Sequence, residues 1–263
     1  RVPFVESELK SPLSLIKRIT FMRDMKIIAP WKTLRQHSDE ILKDQRLRFI
    51  MDRYATYSGS DPRKAPAVLS TIAFVEESFG AWHVKGGLGN LTTTVHQRAV
   101  DVGVTFHLNS PVASIQTTVN KATGVVLADG TIVNADAVIA NADASLVYNK
   151  LVTGHKRLLK KARKNIANAD VSVAGFSLLL GMRKDPEQVL NHHTILFPEN
   201  YDAEFDAIFK EGKPVEKPTI YICAPQDELM SKDENLEGWF VLVNAPTHGQ
   251  FDWSNSEFAS KYA

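Results

Sequence analysis

The chain has 263 residues, 44 % hydrophobic and 23 % charged, which is room for one large or two modest globular domains and excludes a disordered chain. With 31 basic and 30 acidic residues the net charge is +1, so no overall field favours nucleic acid or an acidic partner, and no nucleic-acid partner is expected. A single cysteine, Cys223, excludes an intramolecular disulfide, and no apolar run reaches transmembrane length.

Charge is uneven along the chain. Residues 1 to 54 carry 12 Lys/Arg against 7 Asp/Glu, the run from His155 to Lys164 has six basic residues and no acid, and Leu196 to Glu237 has 11 acids against four bases. The first ten residues, RVPFVESELK, show no signal pattern and no initiator methionine, which predicts a processed chain or an excised fragment.

Residues 12 to 57 read as helices. Leu15, Ile16, Ile19, Met22 and Ile27 recur at helical spacing among Lys17, Arg18, Arg23 and Lys26, and a second helix is expected from Thr33 or Ser38. After the Ser60-Asp61-Pro62 turn, AVLSTIAFVEESF is helical up to Gly80. Leu88, Leu91, Val95, Ala99 and Val102 then share one face of a helix that Gly103 is placed to cap. Val104, Phe106 and Leu108 alternate as a strand. VASIQTTV and GVVLADGTIV form a meander around the Asp129-Gly130 hairpin signal, and DAVIANAD is expected as a short buried strand. Two basic-faced helices (144 to 152 and 156 to 167) follow. Then come strands in VSVAGFSLLLGM, HHTILF, TIYICA and WFVLVNAP, interrupted by the acidic helical stretch YDAEFDAIFKEG, which together suggest a mixed or antiparallel sheet packed on helices.

Few local patterns carry chemistry. WHVKGGLGNL (82 to 91) offers two glycines of a phosphate loop, but the third position is Thr92 and no acidic residue closes a strand about twenty residues on. Taken alone it is a glycine pair that starts a helix. Gly175-Phe176-Ser177 lacks the second glycine of a nucleophile elbow, since position 179 is leucine. His192 and His193 adjoin on a strand, where alternate residues point to opposite faces, so no metal site is expected. Alternation makes Cys223 a core residue. His83 is either an acid/base group or a packed strand histidine, and Asp24 beside Arg23 either a functional acid or half of a surface pair. The basic amphipathic helix of residues 12 to 28 either packs on the core or docks on an anionic membrane surface.

Six segments in order resemble bacterial phytoene desaturases, the FAD-dependent carotenoid desaturase family: APAVLSTIAFVEESFGAWHVKGGLGNL, VDVGVTFHLNSPVASIQ, ATGVVLADGTIVNADAVIANAD, HHTILFPENYDAEFDAIF, TIYICAPQD and WFVLVNAPTHGQFDW. The resemblance covers about residues 40 to 253. It implies an α/β (mixed α+β) fold, part of an FAD/NAD(P)-binding, flavin amine-oxidase-like domain with a β-meander, beside a substrate domain of mixed sheet and helices. Residues 1–84 and 151–263 would form the substrate and membrane-docking portion, and 85–150 the inner part of the FAD-binding domain.

The resemblance further implies that Lys85, Gly86 and Gly87 lead into the flavin domain, serving close packing near the dinucleotide instead of a phosphate cradle. By the same likeness the backbone of Val112 meets the FAD adenine, and the small residues Asn141 and Ala142 lie near the cofactor. The family removes two hydrogens from a polyene, passing hydride to the flavin, so the implied partners are FAD and an isoprenoid substrate. That gives membrane contact through residues 12 to 28 a purpose, and implies a cytoplasmic protein peripheral on the inner face of the membrane. His83, Arg23 and Asp24 are the candidates for catalytic roles. Family members also carry an N-terminal Gly-x-Gly-x-x-Gly strand and loop and a C-terminal segment covering the flavin. This sequence shows neither, so it reads as an internal fragment expected to bind FAD poorly and to be inactive alone. The competing readings are a polyene ketolase, saturase or oxygenase, and a cofactor-free apolar-ligand binding module.

Overall fold

A computed structural model describes residues 29–118, 121–153, 156–185, 187 and 190–263. The chain divides into two compact units, one of residues 1–93 with 172–263 and one of residues 94–171. Residues 29–93 and 172–263 thus combine in one unit.

In the first unit the helices begin where hydroxyl and carboxylate caps stand. Helix α1 (Leu34–Ile41) starts at Thr33, whose hydroxyl accepts from the Gln36 amide (3.2 Å) while Gln36 Oε1 accepts from the Thr33 amide (3.0 Å). Asp44 caps α2 (Gln45–Arg53) through the Arg46 amide. A 3-10 turn (Ala67–Ser70) leads into α3 (Thr71–Phe79), which ends at Gly80 as expected. Leu34, Ala55 and Ala65 form the buried centre of this helical layer, with Met51, Tyr54 and Leu69 packed against it.

The sheet of this unit is antiparallel throughout. Its strands are β4 (Ala174–Arg183), β5 (His193–Leu196), β6 (Ile220–Cys223) and β7 (Leu236–Ala245), in the spatial order β4-β7-β6-β5. The acidic stretch forms α7 (Asp202–Asp206), continued by a π-turn (Ala207–Glu211), and α8 (Ser256–Tyr262) closes the chain. Tyr201, Phe205 and Ile208 are buried, and Phe49, Phe197 and Tyr201 make mutual ring contacts at 5.3 to 5.7 Å. Charges fix this layer. Arg35 reaches Asp52 (2.6 Å) and Asp202 (2.7 Å), Arg63 reaches Asp61 (2.7 Å) and Asp206 (2.8 Å), and buried Glu204 accepts from the Thr219 amide (2.6 Å) and the Asn244 side chain (2.7 Å). Buried polar groups are tolerable only when bonded in this way.

The division between units falls within α4 (Leu88–Asp101). In the second unit Gly103 ends that helix at φ +90°, with the Val104 amide donating to the Ala99 carbonyl (2.9 Å). The expected meander is present as β1 (Val112–Thr117), β2 (Ala122–Leu127) and β3 (Ile132–Asn134), in that spatial order. Gly130, at φ +88°, makes the hairpin turn with Asp129, whose carboxylate accepts from the Thr131 amide. Asp143 caps the short α5 (Ala144–Leu146), which runs into a π-turn (Val147–Leu151), and α6 (Lys156–Ala167) follows.

Two expected strands do not form. Residues 104–108 and 137–142 lack ladder partners among the described residues, and Leu108 (74 % exposed) and Ile139 (95 % exposed) stand in solvent. A strand exists through the backbone pairing of a neighbour, and alternation in sequence cannot supply one. The expected apolar face of α4 is likewise exposed at Leu88, Leu91, Val95 and Val102.

Candidate functional site

The Lys85-Gly86-Gly87 turn lies just before α4, with Gly86 at φ +78° and Gly87 at φ +89°. The Gly86 amide donates to Asp227 Oδ2 (2.5 Å), and Asp227 also accepts from the Leu229 amide, opening a 3-10 turn (Glu228–Met230). A Cβ on Gly86 would collide with the Asn90 amide group, and one on Gly87 would lie 3.3 Å from Met230 Cε. These glycines therefore permit close approach of the loop after β6. The chain's own carboxylate already fills the anion position that a phosphate cradle would need. Lys85 is exposed.

Asp227 is also the end of a polar chain. His83 Nε2 lies 2.8 Å from Asp227 Oδ2, His192 Nε2 is 3.3 Å from His83 Nδ1, and Cys223 Sγ is 3.9 Å from His192 Nδ1. His193 Nδ1 meets the Tyr221 hydroxyl at 2.7 Å. The His83 imidazole, ahead of the Gly86 amide, holds the Asp227 carboxyl below the usual carboxylate range. Desolvation, then the neighbouring His192, lowers the His193 pKa, while burial and the nearby Cys223 push the Tyr221 hydroxyl up to about 12.

Three expectations about these residues are corrected. His83 lies in irregular chain, not on a strand, and its ring faces Asp227 and His192. His192 and His193 are not held apart on opposite faces, their ring centroids being 4.4 Å apart. The β5 ladder begins at His193, so the pleat does not govern His192. Cys223 is half-buried, paired in register with His193 across the β5–β6 ladder, and it does not belong to the core. Asp227 and Tyr221 were not singled out by sequence reasoning. Asp227 stands 144 residues from His83 and shares no local pattern with it.

Val112 opens β1, an edge strand of the meander in the second unit, and is partly exposed. Asn141 and Ala142 lie in the exposed chain before α5. The free part of the β1 edge is at Val112, ahead of the Ile115–Val152 bridge, and Asn141 and Ala142 are small and uncovered, so the residues present are compatible with a dinucleotide approaching there. Arg23, Asp24 and the helix of residues 12 to 28 lie outside the described residues.

Two of the cavities in the first unit bear on the site. One of about 740 Å³ is apolar and runs between the sheet face of Phe176, Leu178, Val241 and Val243 and the side chains of Phe258 and Tyr262 on α8. The other, about 610 Å³, is bordered by Asp227, Met230, Lys184 and Glu237.

The model of the flavin containing amine oxidoreductases matches residues 6–207. The chain is 31 % identical to a 1-hydroxycarotenoid 3,4-desaturase of a Flavobacterium over 98 % of its length, and 34 % identical to a zeta-carotene-forming phytoene desaturase of Myxococcus xanthus over 80 %. It spans 52 % and 40 % of those two relatives. A solved structure of an oxidoreductase from Methanosarcina mazei shares the fold at a TM-score of 0.59 and 14 % identity, with 96 % of this chain and 56 % of that one covered. The chain belongs to the flavin containing amine oxidoreductase family and stands within it among the bacterial carotenoid desaturases.

Proposed function

We propose that the protein desaturates a carotenoid or a related polyene with FAD as its cofactor. The observation that carries this reading is the alignment of nearly the whole chain with a carotenoid desaturase, supported by an apolar cavity whose walls are aromatic and branched side chains. Bound FAD would supply the hydride acceptor, the step that side chains cannot perform. The chain's own residues bind and orient. The edge of β1 at Val112 would receive the adenine, and Asn141 and Ala142 would leave room beside the cofactor. Phe176, Leu178, Val241 and Val243, with Phe258 and Tyr262, would hold a stretch of the polyene away from water.

A polyene resides in membranes, so we extend the proposal to a peripheral position on the inner face of the cytoplasmic membrane, docked through the basic residues 12 to 28. A second reading, oxygenation of the polyene, draws on a relative named 4,4'-diaponeurosporene oxygenase of Staphylococcus haemolyticus, 30 % identical over 88 % of this chain. Expression of the full reading frame in cells that accumulate phytoene, followed by pigment extraction, separates the two. Longer chromophores without added oxygen support desaturation, and oxygenated products support the second reading. Unchanged pigment from a soluble, flavin-loaded protein overturns both.

A further inference from the structure

We propose that His192, His193 and Cys223 form a binding site for a divalent metal ion of the zinc class. One potential ligand atom from each residue lies within 4.8 Å of the other two, and Cys223 and His193 are register partners on adjacent strands, so the ladder itself holds two of the three donors on one face. Two donors of a tetrahedral zinc ion stand about 3.3 to 3.7 Å apart, given Zn–N and Zn–S bonds of about 2.0 to 2.3 Å. The Cys223 Sγ to His192 Nδ1 distance of 3.9 Å is already near that spacing, and the His193 donor lies within 4.8 Å of both.

The surroundings match what a metal-bound imidazole needs. A ligating histidine is normally oriented by a partner at its other ring nitrogen. His192 has one in His83, whose far nitrogen is held by Asp227, and His193 has one in the Tyr221 hydroxyl. With His193 Nδ1–H donating to the Tyr221 oxygen, Nε2 carries the lone pair that meets the ion. Two imidazoles and a thiolate select zinc and similar borderline ions over magnesium and calcium, which take oxygen ligands. His193 is exposed, which admits the ion and leaves a fourth position open to water or another oxygen ligand.

The test is titration of the purified, chelator-treated protein with zinc and, separately, cobalt(II). The expected result is one ion per chain, with cobalt giving thiolate charge-transfer absorption and the visible bands of a tetrahedral site. Cys223→Ser should abolish the thiolate band and weaken zinc binding by more than about 100-fold. His83→Ala, which removes the group orienting His192 along with its bond to Asp227, should weaken it by roughly 10- to 100-fold. A protein that takes up no ion overturns the proposal, as does uptake with no thiolate band or uptake unchanged in Cys223→Ser. Circular dichroism of both variants separates loss of the site from loss of the fold.

Discussion

The two units treat the same kinds of residue differently. In the first, the Asp52 carboxylate is 1 % exposed yet bonded to Arg35 and Ser38, and each strand of the four-stranded sheet finds an antiparallel neighbour. In the second, Ile115 is 6 % exposed beside the bridge to Val152, while Ile139 is 95 % exposed with no ladder at all. The contrast between Ile115 and Ile139 teaches that an apolar residue is buried only where other parts of the chain cover it, and a ladder alone does not do so, since paired Leu179 is 83 % exposed.

The largest effect should come from breaking the charge network. Arg35→Ala strands Asp52 in a buried position, and removing one member of a buried pair costs about 3 to 5 kcal/mol. Urea unfolding followed by tryptophan fluorescence measures it, and a midpoint within error of the parent would refute the role. The same variant carries a pH signature. The Arg35 guanidinium holds the Asp202 carboxyl below its ordinary value, so that pair stabilises the fold above about pH 4 and is lost as pH falls through the lower folded value. Burial instead raises Asp52 against the pull of Arg35, and its protonation favours the fold in acid. Arg35→Ala should therefore flatten the acid limb of the stability profile below about pH 4. An unaltered acid limb would show that Asp202 does not act through Arg35.

Next in size, Ile115→Ala empties a filled site in the second unit and should cost about 2 to 4 kcal/mol, read as a lowered melting temperature. Gly87→Ala imposes a left-handed backbone on a residue with a Cβ and presses on Met230, for a loss of roughly 1 to 2 kcal/mol. If Gly87→Ala were as stable as the parent, the turn would not require glycine. Smallest of all, Ile139→Asp should change stability by less than about 0.5 kcal/mol, because nothing among the described residues covers that side chain. A loss comparable to that of Ile115→Ala would erase the contrast between the two positions.

Much of the fold was legible in the sequence because its signals are local. Thr33, Gly80, Gly103 and Asp129-Gly130 mark ends and turns through their own backbone chemistry, and the helices and hairpin appear where they stand. Residues 104–108 and 137–142 read like strands yet form none, for the complementary reason. Alternation describes one side of a ladder only. The candidate site was less legible still. His83 and Cys223 were noticed singly, whereas the chain from Cys223 through His192 and His83 to Asp227 joins three separate stretches of sequence.

By itself the sequence determined most helix ends, the hairpin and the family likeness, since each depends on residues within a few positions or on an ordered series of segments. Only the tertiary structure decided that two adjacent histidines face one cysteine and that Asp227 occupies the anion position of the glycine turn. Those outcomes depend on contacts between residues far apart in the chain, and neither periodicity nor propensity encodes which distant partner a side chain meets.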